Sequence, residues 1–196
     1  MKFILARHGE TQANIAKIYS GWSNYELTEK GTSQIKILAE ELRGYNCDFI
    51  YASPLGRTME TAREISKTIG KKIIVDKNLR EMNFGVFEGK TADEIQRIYP
   101  KEWDTWLREY QSYRIPEGES LQDVLDRAKI LIDSLKDQEG TAIIVSHSGV
   151  IQSVLTDLLN LELNKMWHFT CPPAGYIEID YINNFGYLRK LVPSYI

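Results

Sequence analysis

Two of the three histidines in this chain stand where predicted strands end. His8 follows the apolar run at residues 3–6, and His147 follows a similar run at residues 142–145. A glycine follows each histidine closely, which allows a sharp backbone turn and lets an anion approach the N–H groups. One histidine in such a place is more often a hydrogen-bonded core group, but two at matching positions indicate a functional site.

Two arginines fall beside the same strand ends. Arg7 ends the first run, and Arg57 falls in the first turn of a helix that we predict opens with Ser53 as N-cap and Pro54 at its first position. A buried guanidinium is costly unless an anion meets it, and arginine binds phosphate oxygens in a bidentate manner. Asn14, predicted one to two turns into the first helix, adds a neutral donor. With no carboxylate cluster to hold a metal, these donors favour a phosphoryl group as ligand.

The elements that must position these residues alternate along the chain. Short apolar runs predict strands at residues 3–6, 49–52, 73–75 and 142–145. Helical spacing and capping residues predict helices at about 28–44, 53–70, 120–140 and 150–161, with a short helix that starts at Thr91 and an edge hairpin at 176–192. Strands separated by helices indicate a three-layer α/β/α sandwich with a mostly parallel sheet. Ligands of such sheets bind beyond the carboxyl ends of the strands, where both histidines stand.

Length and composition indicate a single domain. A chain of 196 residues with 43% apolar residues buries enough surface to fold without disulfides or a structural metal. No linker, repeat or low-complexity segment divides it, so we predict one domain over residues 1–196. Residues 78–118 are rich in aromatic and charged side chains, and we predict that they form a lid-like insertion.

Cysteine usage and charge limit the location and the partners. Cys47 and Cys171 belong to no CxxC pair, which argues against zinc and suits a reducing compartment. The chain reaches Arg7 too soon for the apolar core of a secretion signal, and no stretch suits a membrane span. A net charge of −3 without a basic run argues against a nucleic-acid surface. We expect a cytoplasmic protein without membrane or nucleic-acid partners, and the sequence indicates no oligomeric state.

Four motifs, taken in chain order, resemble those of a known family. They are Arg7-His8-Gly9-Glu10-Thr11, Ser53-Pro54-Leu55-Gly56-Arg57, Leu79-Arg80-Glu81-Met82 and Ser146-His147-Ser148-Gly149. Together they look like the histidine phosphatase superfamily, also called phosphoglycerate-mutase-like. The resemblance spans about residues 2–149, and four ordered motifs at strand ends are far more specific than an Arg-His-Gly tripeptide alone.

The resemblance implies a role for each of these residues. His8 would be the nucleophile and would form a phosphohistidine. Glu81 would protonate the leaving alkoxide and then activate water. The residues that hold the phosphoryl oxygens would be Arg7, Arg57 and His147, assisted by Asn14. Further substrate-binding residues would be Ser20, Gly21 and Ser148. A small phosphorylated metabolite is the implied substrate, and neither a metal nor an organic cofactor is implied.

The resemblance leaves the reaction and the substrate open. Residues 88–120 look similar to small α-ribazole phosphatases, which act in cobalamin assembly, and this favours hydrolysis of α-ribazole 5′-phosphate. The alternative is a cofactor-dependent phosphoglycerate mutase, because Ser20-Gly21-Trp22 resembles a substrate-contacting segment of the mutases. Against it, Trp106 is not followed by the paired arginines of that group. A non-catalytic module that binds phospho-ligands is a further alternative, disfavoured because His8 and Glu81 are both present.

Overall fold

A central sheet carries the fold. The computed structural model describes residues 1–194; Tyr195 and Ile196, which end the predicted domain, lie outside that range. Among the described residues the strands are β1 (Lys2–Arg7), β2 (Phe49–Ala52), β3 (Ile73–Val75), β4 (Thr141–Ser146), β5 (Tyr176–Ile182) and β6 (Phe185–Val192). Their order is β3-β2-β4-β1-β5-β6, in which the first four are parallel and β5 and β6 are antiparallel.

Helices cover both faces of this sheet. They are α1 (Gln12–Ile15), α2 (Glu29–Leu42), α3 (Gly56–Ile69), α4 (Ala92–Ile98), α5 (Pro100–Glu109), α6 (Leu121–Lys136) and α7 (Ser148–Leu158), with 3-10 turns at Lys77–Leu79, Gly85–Phe87 and Leu163–His168. Successive residues of β1 point to opposite faces. Ile4 and Ala6 join a core with α2 and α3, whereas Phe3 and Leu5 join a larger core with α6 and α7. The predicted three-layer α/β/α sandwich with a mostly parallel sheet is confirmed.

Several helix starts follow the capping residues in the sequence. Thr28 caps α2, accepting a hydrogen bond from the Gly31 N–H. Thr91 and Ser120 cap α4 and α6, each within a reciprocal capping box. Such a cap satisfies backbone donors at a helix start locally, which is why it is readable from sequence.

The start of α3 differs from the prediction. Its N-cap is Leu55, and neither Ser53 nor Pro54 belongs to the helix. The Ser53 hydroxyl lies 2.9 Å from Nε2 of His147 and so contacts a residue far away in the chain. Arg57 nevertheless stays in the first turn of α3.

Other boundaries differ as well, among them the end of α6, which lies at Lys136 and not near residue 140. The first helix, α1, has only four residues, so Asn14 lies in its first turn and not one to two turns along. Helix α7 begins and ends earlier than the predicted 150–161. The hairpin turn is shorter than predicted, because Asn183 and Asn184 both take left-handed backbone angles, at φ 51° and 61°, and close it in two residues.

The helices are too short or too polar for a bilayer: within residues 1–194, none has the length and apolar character that a membrane span requires.

Candidate active site

The two histidines meet at the carboxyl ends of adjacent strands. β1 and β4 are parallel neighbours, and their register pairs Arg7 with Ser146. His8 follows β1 and His147 follows β4, so the two residues lie side by side. Their ring centroids are 5.2 Å apart, and the ring planes are at 60° to each other. The predicted juxtaposition follows directly from parallel pairing.

The environment of His8 leaves one ring nitrogen without a proton. Its Nδ1 lies 2.7 Å from the Gly9 carbonyl oxygen, so Nδ1 carries the proton and donates it in that hydrogen bond. Burial lowers the pKa of His8 well below its usual range, and the charges of Arg7 and Arg57 lower it further. The ring is therefore neutral, and Nε2 holds a free lone pair.

Arg7 presents a donor that the protein does not use. Its Nη1 donates to the Cys171 carbonyl oxygen at 2.8 Å. Its Nε is buried and has no hydrogen-bond partner among the described residues. A buried N–H of a charged group without an acceptor is costly, so this atom marks a place where an anion would be stabilised.

Arg57 is held by the loop at residues 20–23. The residue is 2% exposed. Its Nη1 donates to the Ser23 carbonyl oxygen at 2.9 Å, and its Nη2 donates to those of Ser20 and Gly21 at 3.2 and 2.7 Å. These bonds orient the guanidinium, whose Nε turns toward the second histidine.

His147 is completely buried, and both of its ring nitrogens contact protein groups. Nδ1 accepts a hydrogen bond from Arg57 Nε at 3.2 Å, which leaves the proton on Nε2, where it is donated to Ser53 Oγ. Burial, followed by the charges of Arg57 and Arg7, lowers the pKa of His147 well below its usual range. His147 is thus a neutral ring that fixes Arg57, and its direct contact with phosphate stays a prediction.

Glu81 lies in the irregular segment between two 3-10 turns and reaches the start of α7. Its Oε2 accepts a hydrogen bond from the Gly149 N–H at 3.3 Å, and its Oε1 accepts one from the Met82 N–H at 2.9 Å. A Cβ atom at position 149 would stand 2.7 Å from Oε1. Gly149 therefore allows the carboxylate to approach the histidine end of β4.

The predicted substrate-binding residues differ in their surroundings. Asn14 Oδ1 accepts hydrogen bonds from the backbone N–H and the hydroxyl of Thr11, which leaves Nδ2 as its donor beside Arg7. Ser20 lines the surface opening that Arg7, Asn14 and Glu81 also line. Ser148 donates its hydroxyl hydrogen to Gln152 at 3.2 Å. It lines a separate cavity, which Glu81 also borders. The backbone of Gly21 is already bonded, since its N–H donates to Glu88 and its carbonyl accepts from Arg57.

The cleft opens into an apolar cavity of about 230 Å³ beside Glu81. Aromatic side chains form much of its wall: Tyr19, Phe84, Trp106, Tyr110 and Trp167. Cys171 and Pro172 border a second opening, together with Arg7. Burial raises the pKa of the Cys171 thiol to about 12, so it stays protonated beside Arg7. Residues 1–194 contain no group of three or more histidine, cysteine or acidic side chains placed to hold a metal.

Glu88 is a residue of this site that sequence reasoning missed. Its carboxylate accepts hydrogen bonds from the N–H groups of Gly21, Trp22 and Phe84 and from the Ser23 hydroxyl, at 2.9 to 3.2 Å. It thereby fixes the loop whose carbonyls hold Arg57. No local sequence pattern indicates this role, because the hydrogen-bond partners in the loop are more than sixty positions away in the chain.

Comparison with known proteins agrees with this geometry. The family model of the histidine phosphatase superfamily (branch 1) matches residues 3–192. Phosphoserine phosphatase 1 of Hydrogenobacter thermophilus is 33% identical over 193 residues, covering 97% of this chain and 92% of the relative. The adenosylcobalamin/alpha-ribazole phosphatase of Escherichia coli K12 is 30% identical over 193 residues, covering 97% and 95%.

A solved structure extends the likeness to the fold. The alpha-ribazole phosphatase of Shigella flexneri superposes with a TM-score of 0.90 at 30% identity, over 98% of this chain and 96% of that one. Both the sequence match and the superposition span nearly the whole chain. The chain therefore belongs to the histidine phosphatase superfamily (branch 1), and its enzyme class is that of a phosphatase, as its motifs predict.

Proposed function

We propose that this chain hydrolyses phosphate monoesters through a phosphohistidine at Nε2 of His8. The observation that carries the proposal is the combination of a neutral His8 ring, whose Nε2 lone pair is free, with the unpartnered Nε of Arg7 beside it. A phosphoryl group bound to that guanidinium would meet the nucleophile directly. Preorganised donors around the phosphoryl oxygens are the main catalytic device in phosphoryl transfer.

In the first step, His8 Nε2 attacks the phosphorus atom. The N–P bond forms as the bond to the leaving oxygen breaks, and Glu81 gives its proton to that oxygen. In the second step, Glu81 takes a proton from water, whose oxygen attacks phosphorus and breaks the N–P bond. Phosphate leaves, and His8 returns to its neutral form with Glu81 protonated.

The apolar cavity supports an uncharged, planar leaving group. Among the described residues that line it, Glu81 is the only acidic or basic one, and the proposed first step needs it protonated. A leaving group with an ammonium and a carboxylate would therefore find no opposite charge for either group. Aromatic walls favour a flat ring through stacking and edge contacts. These features favour α-ribazole 5′-phosphate, the substrate class named for the Escherichia coli relative, over phosphoserine.

We also propose that residues 78–118 act as the lid of this cavity. The segment contributes Phe84, Trp106 and Tyr110 to the wall and contains α4 and α5. Closure over the leaving group would exclude water from the cleft during the first transfer.

The nucleophile is tested by trapping the intermediate. Wild-type enzyme quenched during turnover of a ³²P-labelled monoester should carry acid-labile, base-stable label, whereas a His8→Asn variant should carry none and should lose hydrolysis. Label or wild-type hydrolysis in the variant would overturn the assignment, and the absence of turnover in the wild type would favour the non-catalytic alternative.

The reaction and substrate are tested by a panel ranked by kcat/KM. We expect α-ribazole 5′-phosphate to exceed phosphoserine and the phosphoglycerates. With 3-phosphoglycerate we expect free phosphate and no 2-phosphoglycerate. Rapid isomerisation with little phosphate release would establish the mutase alternative, and phosphoserine at the head of the ranking would overturn the substrate assignment.

A further inference from the structure

A partly buried ion pair lies behind the segment that carries Glu81. Arg127, on α6, donates from Nε to Oε1 of Glu119 at 2.9 Å and from Nη2 to Oε2 at 3.0 Å. Both side chains are 15% exposed. Two parallel bonds between a planar guanidinium and a carboxylate fix both groups in one geometry.

The pair also binds the backbone on either side of Glu81. Arg127 Nη1 donates to the Asn78 carbonyl oxygen at 2.6 Å, and Nη2 donates to that of Glu81 itself at 2.8 Å. Glu119 Oε2 accepts a hydrogen bond from the Asn83 N–H at 2.9 Å, and the Glu119 N–H donates to the Asn83 carbonyl oxygen at 2.9 Å. The two residues thus hold three points in a stretch of six.

Trp22 Nε1 also donates to the Glu81 carbonyl oxygen, at 2.9 Å, but Trp22 lies in a loop, and among the described residues no other side chain of a long helix binds this backbone atom. Residues 80–84 form neither helix nor strand, so no regular ladder of backbone hydrogen bonds orients Glu81. Arg127, in contrast, belongs to α6, a helix of sixteen residues. The next residue, Ala128, is fully buried in the larger core, so the helix is firmly held at this point. The ion pair therefore transmits the rigidity of α6 to an irregular segment.

We infer that Arg127 and Glu119 are positioning residues for the general acid, acting through the backbone of Glu81. The inference rests on the proposed role of Glu81. A general acid must lie within hydrogen-bond reach of the leaving oxygen, and a displacement of about 1 Å at a catalytic group costs on the order of 10²-fold in rate. Lysine at position 127 keeps the charge but lacks the planar fork that makes these bonds together.

The test compares two substrates that differ in their need for an acid. 4-Nitrophenyl phosphate releases a stable phenolate, whereas 4-nitrobenzyl phosphate places a similar ring in the cavity but releases an alkoxide that needs a proton. The readout is the ratio of kcat/KM for the benzyl ester to that for the phenyl ester. The value of kcat/KM depends only on the steps up to release of the alcohol or phenol. The later activation of water by Glu81 therefore does not affect the ratio. Both values come from one preparation, so any unfolded fraction cancels.

We expect Arg127→Lys and Glu119→Gln each to lower this ratio by about 10- to 100-fold, in the same direction as Glu81→Gln. Arg43→Lys is the matched control, because it alters an exposed arginine that makes two bonds to Glu40 far from the cavity, and it should leave the ratio unchanged. If Glu81→Gln lowers the ratio and neither Arg127→Lys nor Glu119→Gln does, the positioning role is wrong while the acid assignment stands. If Glu81→Gln itself leaves the ratio unchanged, both are wrong.

Discussion

His8 and His147 face each other at 5.2 Å between ring centroids, and both rings are neutral. Two buried imidazolium groups at this distance would repel each other and the arginines beside them. Neutrality suits the chemistry, since an attacking imidazole needs a lone pair. It also ties the stability of the fold to pH.

Folding should weaken in mild acid because of these histidines. Their pKa values are lowered in the folded state, whereas histidine in the unfolded chain has a pKa of about 6.5. Below that pH the unfolded state binds more protons, so the free energy of unfolding falls as pH falls, by about 1.4 kcal/mol per pH unit for each histidine. Urea unfolding of wild type, His8→Asn and His147→Asn between pH 7 and 5 measures this slope. For each variant, the free energy of unfolding should change less steeply with pH than for the wild type. Equal slopes would contradict the prediction.

The histidine pair was predictable from sequence because every step was local or topological. Apolar runs predict the strands, and parallel pairing of β1 with β4 brings the residues after them together. The start of α3 was not predictable in the same way. The Ser53 hydroxyl suits an N-cap, yet it contacts His147 from 94 positions away, and only the folded chain decides between these partners.

The cavity and the loop behind Arg57 lay beyond sequence reasoning for a similar reason. Glu88 reads as one of many carboxylates in a charged segment, but it accepts four hydrogen bonds from two separate loops. The wall of the cavity combines residues from Tyr19 to Trp167. Periodicity describes single elements and does not show how distant irregular segments combine.

Gly149→Ala should impair Glu81, the proposed general acid, without harming α7, whose second residue is Gly149. The new Cβ would stand 2.7 Å from Glu81 Oε1, so the carboxylate must move. We expect kcat/KM on an alkyl phosphate to fall by roughly 10²-fold. Gly44→Ala is the control, since no atom lies within 4 Å of its added Cβ. Activity of Gly149→Ala equal to that of the control would show that Glu81 tolerates the displacement.

Glu88→Gln should disturb the loop at residues 20–23 and, through it, Arg57. An amide keeps one acceptor oxygen but turns the other into a donor, which cannot serve the N–H groups that Glu88 now binds. We expect a loss of about 1–3 kcal/mol in the free energy of unfolding, together with a fall in kcat/KM. Urea unfolding and a phosphatase assay measure the two effects. Glu40→Gln, which removes an exposed pair with Arg43, should change neither, and a Glu88 variant that behaves likewise would refute the role.

Trp167→Ala should weaken binding of ring-bearing substrates and leave the fold intact. Trp167 is 59% exposed at the mouth of the cavity and meets the Tyr110 ring edge-on, at 5.8 Å between centroids. An exposed side chain contributes little to stability, so the free energy of unfolding should change by less than about 0.5 kcal/mol. An aromatic contact with substrate is worth about 0.5–1.5 kcal/mol, so KM for α-ribazole 5′-phosphate should rise by about 2- to 10-fold while that for phosphoserine stays constant. Tyr187→Ala, at an exposed aromatic residue on β6, is the control. A parallel rise for both substrates would mean that Trp167 shapes the entrance and does not recognise the ring.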